Sequence, residues 1–211
     1  MQTFLFDFDG TLVDSMPVYA DMMLGILDEF GVAHEESVIK TITPLGYRGA
    51  AKHFISLGLD MPEDDLVRLM HERAVQAYST RVAAKPFVPE ALRALHARGD
   101  SLSVLTASPH AMLDPCLKRL GLYDLFDHVW SCEDFSMTKS EPEIYVKAAQ
   151  RLEKPVSDVW FLDDNPGADA AAKAAGMRVC GVYDDSSSEY EQEMRRICDA
   201  YITDFSQLDR L

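Results

Sequence analysis

Positive charge is scarce in this chain. Its 211 residues carry 35 acidic side chains against 20 Lys and Arg, a formal net charge of −15, which excludes a nucleic-acid partner, because phosphate backbones are held by basic patches. A small phosphorylated ligand is not excluded, since a cation and a few basic side chains in one pocket invert the local field whatever the global charge. Long apolar runs are also missing. No stretch approaches the ~20 residues that span a bilayer, and the first apolar segment has no basic region ahead of it. Neither a membrane anchor nor a secretory leader is expected, and the expected location is the cytoplasm. Cysteine is sparse: Cys116, Cys132, Cys180 and Cys198 show no CxxC pair and no metal-site spacing, which predicts reduced, mostly buried thiols. The histidines show no ligand spacing either, and only His110, near Thr106, is placed to reach a site. Internal repeats and low-complexity segments are absent.

What the chain has is an informative beginning, Thr3-Phe4-Leu5-Phe6-Asp7-Phe8-Asp9-Gly10-Thr11. A short run of Phe and Leu reads as a strand buried on both faces, ending in two carboxylates and the Gly at which the chain turns. Strand side chains alternate, so Asp7 and Asp9 point the same way. Two like charges held close are costly, and a hard cation such as Mg²⁺ is the usual remedy. Next, Asp14 or Ser15 is the expected cap of a helix with Pro17 in its first turn, running to Gly31. From Glu35 to about Ala83 the pattern stays helical, with helices near Ser37–Thr41, Gly46–Leu57 and Glu63–Val82 and no convincing strand.

At Lys85-Pro86-Phe87-Val88-Pro89 the rhythm changes, and helices alternate with short apolar strands. The predicted strands are Ser101–Leu105, His128–Ser131, Val159–Leu162, Arg178–Tyr183 and Tyr201–Thr203. The predicted helices are Pro89–Arg98, one from a Ser108-Pro109 cap to Leu120, Glu141–Leu152 and Ala168–Ala175. Asp184–Glu191 is expected to be a surface loop leading into a short helix. Strands separated by helices pair in parallel through right-handed crossovers. The fold class is therefore α/β, a doubly wound parallel sheet built from 1–14 and 84–211, with a helical insertion at 15–83.

A doubly wound sheet brings its strand ends to one edge, where ligands bind. Four such ends carry chemistry. The first gives Asp7 and Asp9. The second gives Thr106, with the backbone N–H groups of Ala107 and Ser108 beside it, suited to phosphate oxygens. The third is followed by a loop carrying Lys139, and the fourth ends in Asp163-Asp164-Asn165.

Asp7-Phe8-Asp9-Gly10-Thr11, followed by Leu-Val-Asp-Ser, resembles the first motif of the haloacid dehalogenase-like phosphohydrolases. Thr106 resembles their second motif, Lys139 in Lys-Ser-Glu-Pro-Glu-Ile-Tyr their third, and Leu162-Asp163-Asp164-Asn165 their fourth. The insertion resembles the helical cap of the subgroup containing phosphoglycolate phosphatases and β-phosphoglucomutases. The resemblance implies a Mg²⁺-dependent phosphatase of a small phosphorylated metabolite, monomeric or weakly dimeric. Asp7 is then the nucleophile that becomes an aspartyl phosphate, and Asp9 the acid and base. Lys139 neutralises charge, and Gly10, Thr106 and Ala107 meet the phosphoryl group. Asp7, the carbonyl of Asp9, Asp163 and Asp164 form the metal site, with the choice between Asp163 and Asp164 as the direct ligand left open. In the third motif Ser140 replaces a Pro, which is expected to loosen the loop without removing the charge. Asp169, one turn into a helix, is expected at the surface.

The resemblance also ranks the alternatives. Dehalogenases of this superfamily lack the second Asp of the first motif. The mutases commonly carry Val after the Gly and a His ten residues after the second Asp, where this chain has Thr11 and Tyr19. A sugar phosphomutase and a non-catalytic phosphometabolite-binding protein are the alternatives. Substrate choice is expected from the insertion, around Gly46, Tyr47 and Arg48, with Lys52 as a further cation.

Overall fold

The computed structural model describes residues 1–211, the side chains of Pro44 and Arg210 excepted. The chain runs through strands β1 (Thr3–Phe6) and β2 (Val13–Asp14). Four helices follow: α1 (Met16–Glu29), α2 (Val38–Ile42), α3 (Gly46–Ser56) and α4 (Glu63–Thr80). Next come β3 (Ala83–Ala84), α5 (Val88–Arg98), β4 (Ser101–Thr106), α6 (His110–Arg119) and β5 (His128–Ser131). The last third holds α7 (Pro142–Arg151), β6 (Val159–Asp163), α8 (Pro166–Ala175), β7 (Arg178–Val182), α9 (Glu191–Ile197) and β8 (Ala200–Ile202). These elements form two compact units, Met1–Asp14 with Ala83–Leu211, and Ser15–Val82.

In the first unit six strands form one sheet in the order β5-β4-β1-β6-β7-β8, every neighbouring pair parallel. It is a Rossmann-like α/β fold. From β1 the chain passes to β4 and β5 on one side, then crosses to β6 on the other, so β1 lies at the switch point where such sheets bind ligands. The register sets Phe6 between Val104 and Leu162 and thereby brings Asp7, Thr106 and Asp163 to neighbouring strand ends. A central strand needs both faces covered, and Phe4, Leu5 and Phe6 are fully buried. One face packs Leu5, Leu105, Phe161 and Val179 against Ile144 and Tyr145 of α7. The other stacks Phe4 on Phe6, which meets Phe126 and Phe205. Gly99 and Gly176 end α5 and α8 in the left-handed conformation, as their sequence positions require.

Two short strands escape the sequence reading. The lead into the first helix and the end of the insertion pair as β2 and β3, Val13 with Ala84 and Asp14 with Ala83. Two residues are too few to show an alternating pattern. Capping also differs. Ser15 stands at the N-cap of α1 but makes no side-chain cap bond, and Pro109, rather than Ser108, precedes α6. The stretch after β7 is a 3₁₀ helix, Asp185–Tyr190, leading into α9. Asp184, which caps it, is buried rather than on the surface.

The second unit is all-helical. Met23, Ile26 and Leu27 of α1 are buried within it, as are Phe54 of α3 and Leu66 and Met70 of α4. Its ion pairs lie outside: Arg73 with Glu29, Arg81 with Asp21, and Arg48 with Glu63 and Asp64. Among the described residues no helix is long and apolar enough to cross a membrane. The four cysteines are free, three of them buried.

Candidate active site

The site begins with Asp7, whose backbone N–H donates to the Leu162 carbonyl at 2.8 Å and so carries the β1 pairing one residue further. The chain then turns at Gly10, whose φ of +75° suits glycine. A side chain here is disfavoured for a second reason: a Cβ would stand 2.6 to 2.7 Å from the Asp164 carboxylate and would force it to move. Glycine thus lets the turn after β1 lie directly against the end of β6. Thr11 adds a tie, its hydroxyl donating to Asp164 Oδ1 at 3.2 Å.

Lys139 joins two strand ends. Its ammonium donates to Asp7 Oδ1 at 2.6 Å and to Asp163 Oδ2 at 2.7 Å. Asp163 is fully buried, and its Oδ1 accepts the Asn165 N–H at 2.8 Å. Asn165 in turn caps α8, accepting from Gly167 and Ala168. The Lys139 loop is tied rather than loose. Tyr145 donates to the Lys139 carbonyl, 2.9 Å away, Thr138 and Ser140 join their hydroxyls at 2.8 Å, and the Thr138 N–H donates to Glu141 Oε1 at 2.8 Å. Ser140 therefore supplies a bond where the motif usually has a ring.

Carboxylate oxygens of Asp7, Asp163 and Asp164 come within 4.8 Å of one another. Burial raises the Asp7 carboxyl well above its ordinary value; Lys139 opposes this, and Asp163, Asp164 and Asp9 add to it. Burial disfavours the Lys139 charge, but Asp163 and Asp7 outweigh it and keep the ammonium protonated. Asp164 is pushed up to about 7, by burial first and by Asp163 second. When all three carboxyls are ionised, one ammonium leaves two negative charges in excess, and a divalent cation with a preference for oxygen ligands fits that excess and favours the ionised forms. The Asp9 carboxylate stands outside this group; its Oδ2 accepts a hydrogen bond from the Ser108 hydroxyl.

Thr106 is buried at the end of β4, next to β1, and its hydroxyl accepts the Ser108 N–H at 3.1 Å. Ala107 is exposed at the start of that loop. His110 does not turn to the carboxylate cluster. Its ring nitrogens are held by Asp114 at 2.9 Å and Asp134 at 2.8 Å, which raise its pKa. Gly46, Tyr47 and Arg48 belong to the helical unit, where Gly46 and Tyr47 open α3. The Tyr47 ring lies 4.4 Å from that of His71 and 6.5 Å from that of Tyr19. Arg48 is exposed and donates to Glu63 at 2.6 Å and Asp64 at 3.0 Å.

Asp169 corrects an expectation. It is fully buried, not at the surface, because α8 turns that face onto the sheet. Burial, with Asp163 adding to it, pushes its carboxyl up to about 9, and the Cys198 thiol donates to its Oδ2 at 3.1 Å. Sequence reasoning also missed Lys85, Asp184 and the Ser108 side chain. Nothing in their local spacing marks them, since their partners lie 75 to 99 residues away.

Residues 1–176 match the haloacid dehalogenase-like hydrolase family. The phosphoglycolate phosphatase of Nitrosospira multiformis is 30% identical, over 98% of this chain and 93% of its own length. A phosphorylated carbohydrates phosphatase of Thermotoga maritima is 27% identical over 86% of this chain and 85% of its own. A solved HAD-family hydrolase of Deinococcus radiodurans superposes with a TM-score of 0.79 at 24% identity, covering 99% and 93% of the two chains, and shares the fold. The chain belongs to the haloacid dehalogenase-like hydrolases. Within them it is an enzyme of the phosphatase kind, as these curated relatives are.

Proposed function

We propose that the protein is a Mg²⁺-dependent phosphatase of a small phosphorylated metabolite, working through an aspartyl phosphate on Asp7. One observation carries this reading: a largely buried lysine holds two carboxylates at the carboxyl ends of adjacent strands, with a third in reach. Lys139 occupies Asp7 Oδ1, which leaves Oδ2 to attack phosphorus. As the O–P bond to Asp7 forms, the ester P–O bond breaks, and the departing alkoxide takes a proton from Asp9. A water then attacks the same phosphorus and gives its proton to Asp9. Phosphate leaves and the Asp7 carboxylate is restored. Ser108 aims the Asp9 carboxylate, while Thr106 and the loop amides hold phosphoryl oxygens. Asp7, Asp164 and the Asp9 carbonyl would hold Mg²⁺, with Asp163 nearby, and the ion would supply charge neutralisation and orientation of the phosphoryl group.

Asp163 has both oxygens engaged by Lys139 and Asn165, which favours Asp164 as the direct ligand. The helical unit is read as the cap that selects substrate, with Gly46, Tyr47 and Arg48 as its contacts. Arg48 must exchange Glu63 and Asp64 for a substrate anion to do so. Thr11 and Tyr19 favour hydrolysis over a mutase. The free cysteines favour a reducing compartment such as the cytoplasm. The test is phosphate release from a panel of phosphorylated metabolites, with Mg²⁺ and after chelation. Turnover that needs Mg²⁺ and vanishes in Asp7→Asn is expected; turnover that survives both changes refutes the reading.

A further inference from the structure

Lys85, like Lys139, is a largely but not fully buried lysine of the α/β unit, and the chemistry above makes no use of it. It follows β3 directly, and its ammonium has three donors, each engaged: Gly10 O at 2.6 Å, Tyr183 O at 2.6 Å and Asp184 Oδ2 at 2.8 Å. The Lys85 side chain is 14% exposed and that of Asp184 7%. Asp184 is itself fixed, its Oδ1 accepting the Ser186 N–H at 2.9 Å. Burial works to raise the Asp184 carboxyl, and the bonds from Lys85 and Ser186 outweigh it and hold it low.

The sheet order gives this arrangement its meaning. Gly10 closes the turn after β1, and Tyr183 and Asp184 follow β7, while β6 lies between those two strands. Lys85 therefore bridges the exits of the strands that flank the one carrying Asp163 and Asp164. Gly10 is also the surface against which the Asp164 carboxylate rests, with no room for a single Cβ between them. Both Lys85 and Asp184 act electrostatically on Asp164. A shift of the Gly10 peptide would move Asp164 directly, and the backbone at Gly10 is held on its carbonyl side by Lys85 and on its N–H side by Val13 O at 2.9 Å.

We propose that Lys85, fixed by Asp184, is a positioning residue that brackets the end of β6 and sets the Asp164 carboxylate in place for the cation. This rests on the metal reading above. Groups that orient metal ligands from behind typically cost 10–100-fold in affinity or activity when removed.

The experiment measures Mg²⁺ binding by titration calorimetry, together with kcat and KM on p-nitrophenyl phosphate, for wild type, Lys85→Met, Lys85→Arg and Lys85→Met/Asp184→Asn. The double variant leaves no lone buried charge, so it reports even where Lys85→Met fails to fold. Expected is about a tenfold or larger loss of Mg²⁺ affinity with a fall in kcat of similar size in the double variant, and partial recovery with Arg, which keeps the charge but not the three-way fit. Mg²⁺ affinity and kcat within twofold of wild type in the folded double variant, whatever its melting temperature, would make the pair purely structural and overturn the proposal. Failure of the metal reading looks different: wild type then hydrolyses the ester without taking up Mg²⁺. In that case the proposal falls together with the reading it rests on, whatever the kcat of the variants.

Discussion

The charges of the two units are handled in opposite ways. In the helical unit Arg48, Arg73 and Arg81 reach carboxylates from side chains that are 62%, 44% and 51% exposed. Water and salt share those charges, and such pairs contribute little. At the strand ends, Lys139 and its partners Asp7 and Asp163 are almost wholly withdrawn from water. Desolvating charge is expensive, and a buried pair often stabilises less than an apolar replacement of the same volume. An arrangement that costs stability where a plain core would serve has to be explained by what it does. The comparison thus sets charge that decorates a surface against charge for which the proposed function supplies a use.

The sharpest way to break the comparison is at Lys139. Replacing it with Met leaves Asp7 and Asp163 buried without a cation, and loss of one partner of a buried pair costs about 3 kcal/mol or more. Lys139→Met is expected to lower kcat at least a hundredfold and to reduce stability in chemical denaturation, more so at high pH, where the carboxyls must ionise. A variant as active and stable as wild type would mean that Lys139 is no more than another surface cation.

Asp169 offers the converse case, a buried acid on which burial outweighs the lowering influence of Lys139. Its carboxyl is pushed up to about 9, against about 3.9 in an unfolded chain, so the folded state holds a proton that the unfolded state releases. Its contribution to stability must fall as pH rises between those values. Asp169→Asn mimics the protonated form, and its melting temperature relative to wild type should climb steadily from pH 5 to pH 9. A constant difference across that range would show that Asp169 is ionised in the folded protein.

Smaller effects are expected where charge is exposed. Arg73→Ala and Arg81→Ala should each shift the melting temperature by about 2 °C or less, and by nothing measurable in 0.5 M salt. A large, salt-insensitive loss from either would erase the contrast between the units. Smallest is the effect at His110, whose pKa is raised by Asp114 first and Asp134 second. Because the folded value lies above the unfolded one, the stabilisation is complete below about pH 6.5 and fades as pH rises through the raised value. His110→Gln should therefore be slightly less stable than wild type at pH 5.5 and equal to it at pH 9, as read by thermal melts.

The same contrast explains what could be read from the sequence. Asp7 and the Asp163-Asp164 pair stand at the ends of short apolar runs between helical patterns, and parallel pairing alone is enough to bring such ends together. Period and punctuation also located the six strands of the main sheet to within two residues at either end. Lys85, Asp184, Ser108 and Asp169 carry no such mark. Each is placed by a partner far along the chain: Lys85 by Gly10, Ser108 by Asp9, Asp169 by Cys198. A polar residue next to a proline or one turn into a helix looks the same whether it faces water or another buried group. The strands Val13–Asp14 and Ala83–Ala84 stayed hidden for a simpler reason, having too few residues to show a period.

In the proposed function Asp7 is a covalent nucleophile held by Lys139 at the edge of the sheet. An acyl phosphate is reduced by borohydride to an alcohol, so rapid quenching of turning-over enzyme into borohydride, followed by peptide mass spectrometry, reads the intermediate directly. The account predicts homoserine at position 7, formed only with substrate and Mg²⁺ present. Steady phosphate release with an unmodified Asp7, or with the label on another residue, would contradict it.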